Sequence, residues 1–236
     1  MALLQVTDLE VAYGEALALK GISIAVQAGT ITSVLGANGS GKTTLLRTIS
    51  RLIKQRRGNI ILDGASIDDS QVHQVVRRGI SHIPEGRGLL AEMTVIENLR
   101  LGSHVNSGSY LAEDLDKIHQ LFPVLHERQN QQAGMLSGGE QQMLAIARGL
   151  LARPRLLLID ELSLGLAPRV TTALMQLLTK IKLEGISVLL VEQNVHQALK
   201  ISDWVYLLVN GEIKFSGLPV DLNNRKDLMS TYLGMD

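Results

Sequence analysis

The chain has 236 residues, a formal net charge of +0 and no cysteine. Its length fits one domain or two closely packed lobes, and 45% hydrophobic against 19% charged residues excludes a disordered chain. The neutral balance argues against bulk binding to nucleic acid or anionic lipid, and the lack of cysteine excludes disulfides and thiol chemistry.

The first half of the chain reads as short strands around one helix. Residues 1–30 predict strands in which Ile22, Ile24 and Val26 alternate with polar neighbours. An apolar strand, "GTITSVLG", precedes a helix predicted over residues 43–53. The apolar residues of this helix fall on one face: Leu45, Leu46, Ile49, Leu52 and Ile53. The dipeptides Asp63-Gly64 and Asn210-Gly211 predict two β-hairpins.

From residue 94 to about 150 the pattern becomes helical. Thr94 with Glu97 forms a capping-box pattern, and residues 110–122 and 138–152 continue the helices. Beyond them, "RLLLID" predicts a buried strand, and an amphipathic helix follows that stops at Gly185. A second apolar strand, "ISVLLV", then ends in Glu192-Gln193-Asn194. Strands that alternate with helices indicate a mostly parallel sheet with a helical block inserted into it.

Residues 36–44, "GANGSGKTT", match the phosphate-binding loop G-x-x-x-x-G-K-[ST] between a predicted strand and a predicted helix. The glycines allow successive backbone N–H groups to face a phosphate at the helix N-terminus. Lys42 can reach the β- and γ-phosphates of ATP, and the hydroxyl of Thr43 can ligate Mg²⁺. The nucleotide-binding residues predicted here are Gly36, Ala37, Asn38, Gly39, Ser40, Gly41, Lys42, Thr43 and Thr44.

Two further motifs belong with this loop. Asp160, at the end of "LLLID", is predicted to ligate Mg²⁺, and Glu161 to orient or deprotonate the attacking water. The motif "LSGGEQQ" opens a helix and so forms a second anion-binding terminus with Ser137, Gly138, Gly139 and Glu140. Since one site does not need two phosphate-binding helix starts, we expect a dimer in which each chain closes the other's nucleotide site.

With these motifs in this order, residues 3–218 resemble the ABC-type ATPase family. The narrower likeness is to ATP-binding subunits of branched-chain amino acid importers, and "IPEGRGL", "MTVIENL", "SLGLAP" and "VEQN" carry it. The resemblance implies an α/β P-loop NTPase fold with an N-terminal antiparallel β-subdomain. It implies one ATPase domain over residues 1–236: a nucleotide-binding core (1–86 and 153–218), a helical subdomain (87–152) and a C-terminal tail (219–236).

The resemblance also assigns three residues that the general motifs leave open. Tyr13 takes the place of the aromatic residue that stacks on adenine, although it could also simply end a strand. Gln193 stands where the family usually has a histidine that senses the γ-phosphate, and an amide can donate a hydrogen bond but carries no charge. Glu85 replaces a usual glutamine near the metal and the water. It could alter Mg²⁺ binding or turn outward.

Two departures concern the segment after Glu161. Leu162 replaces the usual proline, which predicts a looser turn and a less rigid Glu161. The "SLGL" of residues 163–166 lacks the aspartate that often ends this loop, as it also does in the branched-chain subgroup. The family also leads us to expect that Leu89, Leu90 and Met93 contact a membrane permease, unless they belong to the core.

The resemblance predicts an ATP-hydrolysing subunit that uses ATP and Mg²⁺ to drive uptake of branched-chain amino acids. Its expected partners are a second ATPase subunit (identical or different), two transmembrane permeases and, indirectly, a solute-binding protein. With no apolar stretch near the ~20 residues of a membrane span and no signal peptide, we expect a cytoplasmic chain, peripheral on the inner face of the membrane. The alternatives are an importer of urea or amides, a soluble non-transport ABC ATPase, and a P-loop kinase.

Overall fold

A computed structural model describes residues 2–106 and 111–233. Its first sheet is antiparallel, with four strands in the order β2-β1-β4-β5. These strands are β1 (Ala2–Tyr13), β2 (Ala16–Gln27), β4 (Arg57–Leu62) and β5 (Ala65–Ser66). The alternation predicted along β2 is confirmed, since Ile22, Ile24 and Val26 are buried between exposed or half-buried neighbours.

The second sheet has six strands in the order β10-β9-β3-β8-β7-β6, parallel except for the β9–β10 pair. These strands are β3 (Ile31–Leu35), β6 (Ile80–Ile83), β7 (Leu156–Asp160), β8 (Ser187–Glu192), β9 (Trp204–Val209) and β10 (Glu212–Gly217). Every residue of β3, β7 and β8 is buried. The predicted parallel sheet with apolar central strands is therefore confirmed.

Ten α-helices occur in the described residues. They are α1 (Lys42–Ile49), α2 (Val72–Arg77), α3 (Val95–Ser103), α4 (Leu111–Leu121), α5 (Pro123–Glu127), α6 (Gly138–Leu150), α7 (Pro168–Leu183), α8 (Val195–Leu199), α9 (Pro219–Asn223) and α10 (Lys226–Leu233). The predicted helix that began at residue 110 is α4. Residue 110 itself lies outside the described residues.

The core has two parts, one on each face of the second sheet. Alternate residues of β7 divide between them, with Leu157 and Ile159 in one part and Leu156 and Leu158 in the other. The first part is shared with helices α3, α6 and α7, and the second with α1 and the antiparallel sheet. The second sheet is thus the middle layer of the molecule.

Local turn and cap signals are confirmed at four places. Asp63-Gly64 and Asn210-Gly211 each have two positive φ angles, as a two-residue type I′ hairpin turn requires. The N-cap Thr94 accepts the N–H of Glu97, whose side chain bonds back to Thr94. Gly185 has a φ of 86° just after α7.

The helix predicted over residues 43–53 is shorter than expected. Helix α1 ends at Ile49, and Arg51 has a φ of 63°. Leu45, Leu46 and Ile49 are buried as predicted, but Leu52 is 58% exposed. The prediction that Leu52 and Ile53 continue the helical face is therefore wrong. A left-handed residue ends the helix here, a conformation that the arginine itself does not signal.

Candidate active site

The carboxyl ends of three neighbouring strands meet at one edge of the second sheet. Leu35 of β3 is in register with Glu192 of β8, and Asp160 of β7 is in register with Val191. The chain therefore brings the loop after β3, the residue after β7 and the residue after β8 to the same edge. In open α/β sheets this edge is where ligands bind.

The glycine loop, residues 36–41, connects β3 to α1. A Cβ on Gly36 would lie 2.3 Å from the carbonyl oxygen of Leu208, so the loop can approach β9 closely only with glycine there. Gly39 has a φ of +77° and faces open space on its outer side. One side of the loop is therefore packed against the sheet, and the other is open to a ligand.

Lys42 is the first residue of α1, and its ammonium group is buried. It donates hydrogen bonds to the carbonyl oxygens of Gly36 (2.9 Å) and Ala37 (3.1 Å). Its Nζ also lies 3.0 Å from Oε1 of Glu161, whose side chain is 9% exposed. The lysine thus joins the glycine loop to the residue that follows β7.

Thr43 and Asp160 form the second link across this edge. The hydroxyl of Thr43 donates to Oδ1 of Asp160 at 3.1 Å. Burial raises the pKa of Asp160, the charges of Glu161 and Glu85 raise it further, and the bond from Thr43 and the charge of Lys42 oppose them. A buried carboxylate with two carboxylates near it is a position where a cation is favoured.

A cavity of about 400 Å³ opens above these residues. Its lining includes most of the predicted phosphate-loop residues, and it consists of Tyr13, Ala18, Asn38, Gly39, Gly41, Lys42, Thr43, Thr44, Glu85, Glu161 and Leu164. Tyr13 is 52% exposed, and its hydroxyl lies 3.3 Å from that of Thr44. The cavity is thus lined by an aromatic ring as well as by a lysine and two carboxylates.

The residues present fit a magnesium nucleotide. The Oγ of Ser40 is buried in the loop without a hydrogen-bond partner among the described residues, so a polar group remains to be satisfied there. Among those same residues no group of three or more His, Cys, Asp or Glu side chains could hold a metal ion. The hydroxyl of Thr43 and the carboxylate of Asp160 are adjacent oxygen ligands, which suit a cation such as Mg²⁺ that takes its other ligands from phosphate and water.

The "LSGGEQQ" residues lie outside this cavity. Ser137 is the N-cap of α6: its Oγ accepts the N–H of Glu140, and the Glu140 carboxylate accepts the N–H of Ser137 at 2.8 Å. Gly138 and Gly139 form the first turn, and a Cβ on Gly139 would lie 2.5 Å from Val170. None of the four residues lines the cavity that holds Lys42.

Gln193 lies beyond the end of β8, is exposed and does not line the cavity either.

The sequence did not predict some of the residues that contribute to this edge of the sheet. Ala18 and Leu164 line the cavity, and no pattern in the sequence predicts this position for them. Glu192 binds Ser163, and the only signal in the sequence is an acid at the end of an apolar strand.

Fold and site together define a P-loop ATPase: a phosphate loop between a central strand and a helix, with an acidic pair at the end of another parallel strand of the same sheet. The sequence pattern of the ABC transporter family matches residues 19–163. The chain belongs to that family and is an ATP-hydrolysing transporter subunit.

Three relatives match almost the whole chain. BraG of Pseudomonas aeruginosa, a high-affinity branched-chain amino acid transport ATP-binding protein, is 40% identical and covers 94% of this chain and 95% of its own length. BraF of the same organism, named for the same transport, is 31% identical, with 98% of each covered. LptB of Haemophilus influenzae, a lipopolysaccharide export system ATP-binding protein, is 30% identical over 99% of this chain and 98% of its length.

Two solved structures share the fold. A nucleotide-free ATP-binding cassette from an ABC transporter superposes with a TM-score of 0.85 at 28% identity, covering 96% of this chain and 97% of that one. A dimeric ATP-binding cassette in a post-hydrolysis state, bound to ADP and Pi, gives a TM-score of 0.81 at 25% identity, covering 92% and 98%. Within residues 2–106 and 111–233, every helix is too short or too polar to cross a membrane.

Proposed function

We propose that this chain is the ATP-hydrolysing subunit of an importer of branched-chain amino acids. The observation that carries the proposal is its 40% identity to BraG across 94% of the chain. Glu85 within "PEGR" and the "SLGL" loop without aspartate support it, because both are features of the subgroup that the sequence resembles. The transported solute does not contact the ATPase subunit. Its identity is therefore inferred from the relatives and partners of this chain and not from the residues of the ATP site.

Lys42 and the loop backbone would hold the phosphates of ATP. The loop leads directly into the N-terminal end of α1, where an anion is favoured. Phosphate oxygens would replace Glu161 and the carbonyl oxygens of Gly36 and Ala37 as partners of the ammonium group. Tyr13, which lines the same cavity, would stack on the adenine.

Glu161 would then be free to orient the water that attacks the γ-phosphate and to accept its proton. Its carboxylate lies at the cavity wall, 3.0 Å from Lys42. Thr43 and Asp160 would hold Mg²⁺, with Glu85, which follows the end of β6 and lines the same cavity, near the metal. When bound, the metal neutralises charge that develops on the phosphate oxygens.

The second ATPase chain would complete the site. Ser137, Gly138, Gly139 and Glu140 start a thirteen-residue helix away from the chain's own cavity, so they are available to a neighbour's γ-phosphate. The dimeric cassette bound to ADP and Pi supports this arrangement. The partner can be a second copy or a different chain, and two separately named relatives in P. aeruginosa, BraG and BraF, favour a different one.

Two permease subunits would dock on the helical side. We assign residues 87–152 to a helical subdomain, between core segments 1–86 and 153–218 and before a tail at 219–236. A groove of about 230 Å³ lies where this subdomain meets β6, and it is lined by Val76, Ser81, His82, Ile83, Leu101, Gly102, Val105, Ala145, Arg148, Gly149 and Ala152. Of the three residues expected to dock, Leu90 is 49% exposed, whereas Leu89 packs against the core.

An exporter is the second candidate, because LptB matches 99% of the chain at 30% identity. Purification of this chain from its own membranes in mild detergent, with identification of the co-purifying proteins, separates the candidates. Two multi-span permeases, a second ATPase and a solute-binding protein are expected. Leucine, but not urea, should then stimulate ATP hydrolysis by the reconstituted complex. Recovery of an export partner, of ribosomal proteins or of no membrane protein would overturn the proposal.

A further inference from the structure

Glu192 is a buried acid at the carboxyl end of β8 that has no place among the nucleotide contacts. It is 0% exposed, although an isolated buried carboxylate is strongly unfavourable. The strand that it ends lies between β3, which leads to the phosphate loop, and β7, which leads to Glu161. Glu192 is therefore beside the proposed catalytic residues, at the same edge of the sheet.

The carboxylate binds two different loops. Its Oε1 accepts the backbone N–H of Ser163 at 2.9 Å, and its Oε2 accepts the hydroxyl of Ser163 at 2.8 Å. The Oε2 also accepts the backbone N–H of Asn194 at 3.3 Å. Three hydrogen bonds to one buried carboxylate satisfy it and make the contact directional. Ser163 lies two residues after Glu161, and Asn194 follows Gln193.

Glu161 needs such support because its backbone is strained. Its φ is 52°, a left-handed conformation that is unfavourable for a residue with a side chain. The N–H of Glu161 donates to the carbonyl oxygen of Val191 at 3.0 Å. The end of β8 thus holds the turn at two points, through the backbone of Val191 before Leu162 and through the side chain of Glu192 after it.

The turn is held although Leu162 replaces the proline of related ATPases. Leu162 is 0% exposed and packs in the core on the helical side of the second sheet. The looser turn expected from Leu162 stays a prediction, and two contacts of this turn oppose it: the buried leucine and the acid on the next strand. The contact with Glu192 is not visible from the "IDELSLG" segment alone, because Glu192 is 29 residues from Ser163.

We propose that Glu192, through Ser163, is a positioning residue for ATP hydrolysis that aims the Glu161 carboxylate at the attacking water. The inference rests on the role proposed for Glu161. Because the same carboxylate binds Asn194, it also ties the segment after Glu161 to the segment that carries Gln193. Loss of this link should slow the chemical step and leave ATP binding almost unchanged.

The test measures kcat, KM and melting temperature of the full chain with substitutions at both ends of the link. Glu192→Gln should lower kcat by about tenfold or more, because the glutamine NH₂ group would face the donors of Ser163 and Asn194 where a carboxylate oxygen now accepts from them. The KM for ATP should change less than about twofold. Ser163→Ala should lower kcat by about threefold to tenfold. Ser163→Thr, which keeps the hydroxyl, should retain most of the kcat of the parent chain. The double variant Glu192→Gln/Ser163→Ala should have a kcat no lower than that of Glu192→Gln alone, because both changes break the same link.

Asp203→Asn is the matched control. This carboxylate also accepts a backbone N–H, that of Ile31 at 2.8 Å, and binds Lys182, but it sits at the opposite end of β3. The substitution Asp203→Asn should therefore lower the melting temperature without changing kcat. If kcat is unchanged in Glu192→Gln and Ser163→Ala while Glu161→Gln is inactive, the positioning role of Glu192 is overturned and the role of Glu161 stands. An active Glu161→Gln would overturn the role of Glu161 instead. If Glu192→Gln does not fold, the Ser163 pair decides.

Discussion

The ammonium group of Lys42 lies 3.0 Å from the carboxylate of Glu161, and both side chains are buried. This ion pair joins the phosphate loop to the end of β7 across the cavity that we assign to ATP. The same lysine also binds Gly36 and Ala37, so each contact that phosphate would take over is already made within the protein. When ATP binds as proposed, its phosphates would exchange one anionic partner of Lys42 for another.

Lys42→Met should show how much the Lys42–Glu161 ion pair contributes to the free energy of unfolding. It leaves the Glu161 carboxylate buried without its partner, which should cost on the order of 3 kcal/mol of unfolding free energy, and it should abolish ATP binding. Urea unfolding of this variant, of Glu161→Gln and of the double variant measures the coupling. The double variant should be more stable than the sum of the single losses predicts. Additive losses would show that the two groups do not interact.

Glu161→Gln should bind ATP but not turn it over. The amide keeps the size of the side chain and loses the base, so we expect kcat to fall by about 100-fold or more with little change in ATP affinity. Accumulation of an ATP-bound dimer, measured by size-exclusion chromatography, should accompany the loss. Glu184→Gln, at the exposed C-cap of α7, serves as the control and should behave as the parent chain. Full hydrolysis by Glu161→Gln would remove this residue from the mechanism.

Gln193→His should be tolerated if residue 193 senses the γ-phosphate, because imidazole also donates a hydrogen bond. We expect kcat within about threefold of the parent chain. Gln193→Ala, which removes the donor, should lose about tenfold or more. Gln193 is exposed, so neither change should lower the melting temperature. Loss of folding in either variant, or full activity of Gln193→Ala, would contradict the sensor role.

The Mg²⁺ requirement should depend on pH through Asp160. Burial, with the charges of Glu161 and Glu85, raises the pKa of Asp160, and the metal binds its ionised form. The half-saturating Mg²⁺ concentration for hydrolysis should therefore rise as pH falls through this raised pKa. Glu85→Gln removes one negative charge, lowers the pKa of Asp160 and should move that rise to lower pH. Glu92→Gln, an exposed acid nearby, should change nothing.

The two possibilities for Glu85 differ at neutral pH. If its carboxylate ligates the metal, Glu85→Gln should also raise the half-saturating Mg²⁺ concentration by about tenfold or more there. If it turns outward, only the acidic side of the profile moves. A profile identical to that of the parent chain at every pH would show that Glu85 lies too far from Asp160 to act on it.

His82 should make the protein sensitive to mild acid. Burial, with the charge of Arg47, lowers the pKa of His82 to about 4, and its Nδ1 lies 3.0 Å from the hydroxyl of Ser50. Between an ordinary pKa of about 6.5 and this value, the unfolded chain binds a proton that the folded chain does not. Stability should therefore fall as pH falls through this window, by up to about 3 kcal/mol.

Urea unfolding between pH 4 and pH 7 measures this dependence. His82→Gln should be less stable at neutral pH but should lose less on acidification, because glutamine does not titrate. His73→Gln, an exposed histidine on α2, is the control and should keep the slope of the parent chain. An unchanged slope in His82→Gln would show that another group carries the acid sensitivity.

The sequence by itself determined the local features of this protein. The phosphate loop, the two hairpins, the Thr94 cap and the buried central strands each depend on residues that lie close together in the chain. Their physical causes are local as well: positive φ at Asn-Gly and Asp-Gly, a side chain that accepts a nearby N–H, and a short continuous apolar run along a strand. The family likeness added the roles of distant motifs.

Only the tertiary structure decided what the strand ends do together. The parallel register brings Leu35, Asp160 and Glu192 to one edge, although 125 and 32 residues separate them along the chain. Leu52 leaves the predicted helical face because Arg51 adopts a left-handed conformation that no neighbour in sequence requires. Glu192 can be buried because Ser163 satisfies it from another loop. These contacts come from sheet order and packing, which short-range sequence patterns do not encode.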